Sequence, residues 1–226
     1  MSAESEHKPI NPNDGGFKGY HNYYMPDEFF HKDEEEGAIY LRDGQRASEV
    51  SEDFIVGLHN GLEEDVGDAS NLIMYKCGIE WGLHDMKRFN NRMRHEFGGG
   101  KLDIWQMNKR FVFETWWWPM TVQGWGGWTL DLSFEGRDMT FVEIRNSAVA
   151  RSMEQVGKPV CHLYAGMFAG VFSFFEKEDR QSIEVQCYSM GNDCCKFMIG
   201  KEKQVNAAEF WRQEGANADE IRNKFE

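Results

Sequence analysis

The chain has 226 residues, carries 25 Lys+Arg against 38 Asp+Glu for a formal charge of −13, and is 41% hydrophobic and 14% aromatic. That length is enough for one domain, or slightly more, with a real core, and the composition is too apolar and aromatic for a disordered chain. The negative balance excludes DNA or RNA as the expected partner, because phosphate affinity rests on Lys and Arg; no stretch reaches the ~18 apolar residues of a membrane span.

The start, MSAESEHKP, is polar and acidic, without the pattern of a secretory leader, so the cytoplasm is the expected compartment. Residues 1–66 hold 16 acidic and 5 basic residues, leaving a nearly neutral remainder. The densest part, Asp33 to Glu36, reads as a solvated loop or edge, or else as a docking patch for a basic protein partner. Turn formers at 11–16 alternate with Tyr20, Tyr23, Tyr24, Phe29 and Phe30. Those rings predict an extended arm pinned on the body, since a free tail gains nothing from them. Residues 1–45 are thus expected as an acidic arm, and 46–226 as a single domain.

Ser51-Glu52-Asp53 opens a helix with a hydroxyl cap and two carboxylates at the positive end of the dipole, and Phe54, Ile55, Leu58, Leu62 and Val66 continue at helical spacing. A longer helix is expected from about Ser70 to Phe97. Its apolar face would carry Ile73, Cys77, Trp81 and Phe89, with Lys87, Arg88, Arg92 and Arg94 toward water, and Gly98 to Gly100 would stop it. Leu102 to Trp118 reads as a third helix ended at Pro119. Trp128 to Glu135 alternates with period two, Gly136-Arg137 turns, and Met139 to Ile144 returns as a hairpin. A short helix at 147–156 follows. Cys161 to Phe175 is apolar nearly all round, which predicts a buried helix. Strands at 183–188 and 195–199 and a helix at 207–213 close the chain. The class is α+β: helices first, then a mainly antiparallel sheet around one buried helix.

Five cysteines, an odd number, argue against a disulfide framework. Cys77 reads as a core residue of the long helix. Cys161, Cys187, Cys194 and Cys195 cluster late, with Glu184 three residues before Cys187. Thiolates are preferred zinc ligands, and a carboxylate can complete a four-coordinate shell. On spacing alone, a zinc site and a set of buried thiols on neighbouring strands both remain open.

Pro159-Val-Cys161-His-Leu-Tyr-Ala-Gly166-Met-Phe-Ala-Gly170, then Ile183-Glu184-Val-Gln-Cys187-Tyr-Ser-Met-Gly191-Asn-Asp-Cys-Cys195-Lys-Phe197-Met-Ile-Gly200, resembles the ending of the 4-vinyl reductase domain. Within that family the pattern is most similar to the input domains of phenol- and xylene-responsive bacterial transcription activators. The resemblance implies the ligand-binding fold of the NO-signalling and Golgi-transport proteins, usually dimeric, over residues 46–226. It also implies a zinc held by Cys161, Glu184, Cys187 and Cys195. Cys194 is the rival for the last place, but adjacent strand residues point to opposite faces, and the family register selects Cys195. His162 would point about 100° away from Cys161 on a helix. Three thiolates and a carboxylate fill a tetrahedral shell, so the implied zinc is structural. The activators carry ATPase and DNA-binding domains after the sensor, whereas only residues 201–226 follow here; direct transcription control is not implied.

Trp105, Trp116, Trp117, Trp118, Trp125 and Trp128 lie close in sequence with Phe111 and Phe113. Three consecutive tryptophans on a helix cannot share one face at ~100° per step. Core plus dimer contact is one reading. The other is an apolar small-molecule pocket, for which Trp116, Trp117, Trp125, Trp128, Tyr164 and Phe168 are the candidate lining residues. Gly166 and Gly170, on one helical face, permit close packing or open a cavity. No catalytic residue is assigned: no phosphate loop, dinucleotide motif or nucleophile elbow is present. His84, His95 and the Asp131/Glu135 pair read as boundary or solvated residues. The expected function is a zinc-stabilised, non-enzymatic homodimer that binds a small hydrophobic, aromatic molecule as sensor, carrier or accessory factor. The alternative is an enzyme, or a substrate-presenting partner, acting on an aromatic or tetrapyrrole compound.

Overall fold

The computed structural model describes residues 26–226; Tyr20, Tyr23 and Tyr24 of the expected arm lie outside them. A helical turn α1 (Pro26–Phe29) leads into a small antiparallel sheet of β1 (Phe30–Asp33), β2 (Ala38–Leu41) and β3 (Arg46–Ala47). The sequence gives no sign of these strands, because four-residue strands broken by charges carry little period-two signal. The acidic run makes the β1–β2 turn: Glu36 N donates to Asp33 Oδ1 at 3.0 Å, and Glu34 to Glu36 are exposed.

Helix α2 (Glu52–Val66) starts as expected, but Ser51 makes no side-chain cap bond. Only Ile55 and His59 of this helix are buried, and Phe54 (59% exposed), Leu58 and Val66 face outward. The expected stripe Phe54–Leu58–Val66 is therefore corrected to an outer face.

Helix α3 (Ala69–Gly98) is rotated relative to the sequence expectation. Ile73 and Cys77 are exposed, while Met74, Gly78, Gly82, Met86, Phe89 and Met93 face inward. The reason is glycine. A Cβ on Gly78 would lie 2.2 Å from Leu163 O, and on Gly82 2.3 Å from Met167 O. Reciprocally, a Cβ on Gly166 would lie 1.9 Å from Tyr75 O and on Gly170 2.4 Å from Ile79 O. Four missing side chains let α3 lie backbone against backbone on α6 (His162–Glu176). Hydrophobic periodicity cannot register such a contact. Arg92, expected in water, is drawn inside by the same rotation: its side chain is 8% exposed, with Phe29 and Phe89 4.9 and 5.2 Å from its guanidinium.

The third expected helix divides. A single 3-10 turn, Ile104–Gln106, precedes α4 (Lys109–Val122), whose cap Asn108 accepts from Phe111 N at 3.1 Å. Pro119 lies inside α4 and does not end it. Proline deletes only its own donor, so near the last turn one bond is lost.

The main sheet runs β4 (Gly127–Asp131), β5 (Thr140–Arg145), β7 (Cys195–Gly200), β6 (Gln181–Gln186), all antiparallel. The β4–β5 hairpin pairs Trp128 with Ile144 and Leu130 with Val142. Its connection spans residues 132–139, including a 3-10 turn and left-handed Asp138, rather than a tight Gly136-Arg137 turn. A short α5 (Ala148–Ser152) replaces the longer helix expected at 147–156. α6 is buried between the sheet and α3, as its all-round apolarity predicted. Helices α7 (Glu202–Gln213) and α8 (Ala218–Asn223) cover the other sheet face over Phe134, Ile183, Met198 and Ile221. The α+β class and the helix-first order hold. Among the described residues no helix is long and apolar enough to cross a membrane.

Candidate metal centre and aromatic clefts

Three segments meet at the N-terminus of α6. Cys161 caps that helix, Glu184 lies within β6, Cys187 follows it, and Cys195 opens β7 beside Ile144 of β5. All four are buried, and one ligand atom from each lies within 4.8 Å of the others. Cys161 Sγ is 3.7 Å from Cys195 Sγ, which is 3.8 Å from Cys187 Sγ. Glu184 Oε2 accepts from Cys161 N at 3.0 Å, while its Oε1 is buried with no hydrogen-bond partner. Cys194, the sequence rival, turns its sulfur to Gln186 Nε2 at 3.3 Å, and neither it nor His162 belongs to the cluster.

The electrostatics of this group are lopsided. Burial pushes the Cys161 thiol and the Glu184 carboxyl well up, and neighbouring thiols and Cys187 push the same way. Cys195 is drawn down by its contact with Cys161, but Cys187 and burial move it up on balance. Hydrogen bonds from Cys161 and Cys195 hold Cys187 well below the usual thiol range. No basic side chain is hydrogen-bonded or ion-paired to any of the four ligand atoms among the described residues. A buried, acceptor-rich set of three sulfurs and a carboxylate with an orphaned oxygen fits a divalent ion, and its donor types are those of zinc. Residues around it hold the ligands in place, and no sequence signal marks them: Ser147 Oγ lies 3.6 Å from Cys161 Sγ, and Ser189 Oγ lies 2.9 Å from Cys187 Sγ while donating to Lys158 O.

The three consecutive tryptophans go three ways, as ~100° steps require. Trp117 turns to the sheet and α6, stacking on Trp128 at 5.2 Å beside Phe168 and Tyr164. Trp116 turns to α3 and donates from Nε1 to Asp85 Oδ2 at 2.7 Å. Trp118 meets Phe29 at 5.1 Å. Trp117, Trp128, Tyr164 and Phe168 therefore interlock as rings, and Tyr164 anchors its hydroxyl on Trp125 O at 2.5 Å. Trp125 stands at the boundary of two clefts. A cleft of about 870 Å³ opens between the small sheet, the start of α2 and the end of α4, with Phe30, Ile39, Ile55 and Trp125 among its walls. A smaller one of about 220 Å³ lies between the β2–β3 hairpin, α3 and α4, walled by Trp81, Trp116 and Trp125. Of the six residues expected from sequence, two line these clefts and four form the ring cluster beneath.

Residues 140–201 match the family model of the 4-vinyl reductase domain, and this part of the chain is such a domain, in line with the motif resemblance. The structure is similar to the phenol-responsive sensory domain of the transcription activator PoxR with phenol, at TM-score 0.62 and 19% identity over 81% of this chain and 90% of that one. It is less similar to a vinyl-4-reductase family protein from Methanocaldococcus jannaschii (TM-score 0.41, 15% identity, 65% and 75% covered). A trafficking protein particle complex subunit 3 from Naegleria fowleri, covalently bound to palmitic acid, gives TM-score 0.48 and 11% identity over 67% and 95%. No curated protein matches the sequence.

Proposed function

We propose that the chain is a zinc-stabilised, non-enzymatic protein that holds a small aromatic molecule, as sensor, carrier or accessory factor. The observation that carries this reading is the buried Cys161–Glu184–Cys187–Cys195 cluster, with its unpartnered carboxylate oxygen, beneath a bed of packed rings. Four protein ligands would close a tetrahedral shell and leave no position for water or substrate, which supports a structural ion. The ion would join the start of α6 to the β6–β7 end of the sheet, and its binding energy would become folding energy. The ring-walled clefts beside Trp125 support an aromatic ligand, and the similar PoxR domain is one that responds to phenol. The reading includes a homodimer, for which the outward Phe54, Leu58, Leu72 and Ile73 are the supporting surface.

Metal analysis of purified protein, with mass spectrometry of whatever small molecule is released on denaturation, tests this reading. One zinc per chain and a ring compound released unchanged are expected. A metal-free protein, or turnover of the released compound, would contradict it, the latter in favour of an enzyme acting on an aromatic or tetrapyrrole substrate.

A further inference from the structure

The smaller Trp125 cleft has a chemistry of its own. Three arginines, Arg46, Arg88 and Arg92, face two aspartates, Asp43 and Asp85, across its indole walls. In a chain of formal charge −13, this small enclosure is locally cationic. The carboxylates are engaged. Asp85 Oδ2 accepts from Trp116 Nε1 at 2.7 Å with Arg88 3.5 Å from Oδ1, and Asp43 Oδ1 accepts from Gln45 N at 3.1 Å. The guanidiniums are less fully used. Arg88 Nε and Arg92 Nε are buried without a hydrogen-bond partner, and the 8%-exposed Arg92 has Asp43 as its ion pair at 3.7 Å.

A guanidinium carries five donors in a planar fork matched to a carboxylate, and leaving such donors buried and unfilled is costly. Cavities of roughly 150 Å³ already accept a benzene ring, so about 220 Å³ holds one ring and a short substituent. We propose that this cleft is a binding site for a single-ring aromatic carboxylate, its ring between Trp81, Trp116 and Trp125 and its carboxylate on Arg92 and Arg88. The proposal rests on the aromatic-binding reading above and narrows its ligand class from hydrophobic rings to anionic ones. A cationic ring is the competing chemistry, since indoles also attract cations. It is disfavoured because the oxygens that would receive it already have partners.

The test uses the full chain as purified, with benzoate, benzyl alcohol and benzylammonium as probes, read by calorimetry and tryptophan fluorescence. Benzoate is expected to bind about tenfold or more tighter than the similarly sized alcohol, as a charge-assisted pair requires, with benzylammonium weakest. Arg92→Lys, which keeps the charge but loses the fork, should weaken benzoate about tenfold. Arg88→Gln, at a half-exposed position that tolerates change, should do the same while benzyl alcohol binding stays within about twofold. Equal or tighter binding of the alcohol or the amine, or benzoate binding indifferent to Arg88→Gln, would overturn the proposal and leave the aromatic-binding reading standing. Failure of all three rings to bind would overturn both.

Discussion

Two buried polar regions of this molecule solve the same problem in opposite ways. Around the start of α6, three thiols and a carboxylate face one another with no cation beside them among the described residues. Around α3 and α4, carboxylates sit among arginines, so that Asp85 and Asp43 each have a guanidinium within reach. A buried charge must be paired or must coordinate a metal. The second region supplies its own countercharge from the chain. The first does not, and its missing partner has to come from outside. The difference teaches where to look for an ion and where to look for an organic ligand.

The largest effect should come from breaking the uncompensated cluster. Cys187→Ala should lose zinc and soluble protein together, and chelation of the native protein should lower its melting temperature by more than about 10 °C, given ~2–4 °C per kcal/mol at this size. Cys194→Ser is the matched control: its sulfur points to Gln186, and zinc content and melting should stay as in the native protein. Loss of zinc in that variant would show that the wrong member of the pair has been assigned.

A smaller effect is expected where the two regions are clamped together. Gly166→Ala would place a Cβ 1.9 Å from the Tyr75 carbonyl oxygen, on backbone that cannot swing away. Prising α3 from α6 should cost about 3 kcal/mol, read by denaturant unfolding. An unchanged midpoint would mean that the helices do not lie in contact.

On the arginine side, charge balance should appear as a pH dependence. Burial raises the Glu96 carboxyl from 4.5 to about 7, although Arg42 donates to its Oε1 at 3.2 Å. Between those values the folded chain binds more protons than the unfolded one, so this group's contribution to stability falls as pH rises from 4.5 to about 7. Glu96→Gln should therefore melt higher than the native protein at pH 8 and nearly equal to it at pH 4. The reverse order would place the carboxylate in a compensated site.

The smallest effect on stability, with a visible effect on assembly, should follow from the outer face. Phe54 and Leu58 are 59% and 43% exposed, so Phe54→Glu with Leu58→Glu should leave melting within about 1 kcal/mol. The same pair should convert a dimer to a monomer in light scattering. A native protein that is already monomeric would remove the dimer from the reading.

How far these regions are legible from sequence follows from their physics. The cysteine cluster announces itself because its members are chemically rare and sit at fixed spacings along a continuous segment, so Cys161, Glu184, Cys187 and Cys195 can be picked out before any fold is known. The buried α6 is equally plain from its all-round apolarity. The face of α3 is not, because its tightest contacts are made by Gly78 and Gly82, which carry no hydrophobic signal. Arg88 and Arg92 look like solvent residues for the same reason. Their cleft also depends on a β2–β3 hairpin far away in sequence, which periodicity does not detect. Pro119 misleads in the opposite sense, because a helix breaker near the last turn removes only one bond.

Cobalt(II) substitution reads the central claim most directly. A sulfur-to-cobalt charge-transfer band with tetrahedral d–d absorption, saturating at one ion per chain and reversed by zinc, is the expected result. A spectrum without thiolate ligation, or with the weak absorption of an octahedral oxygen-bound ion, would contradict it.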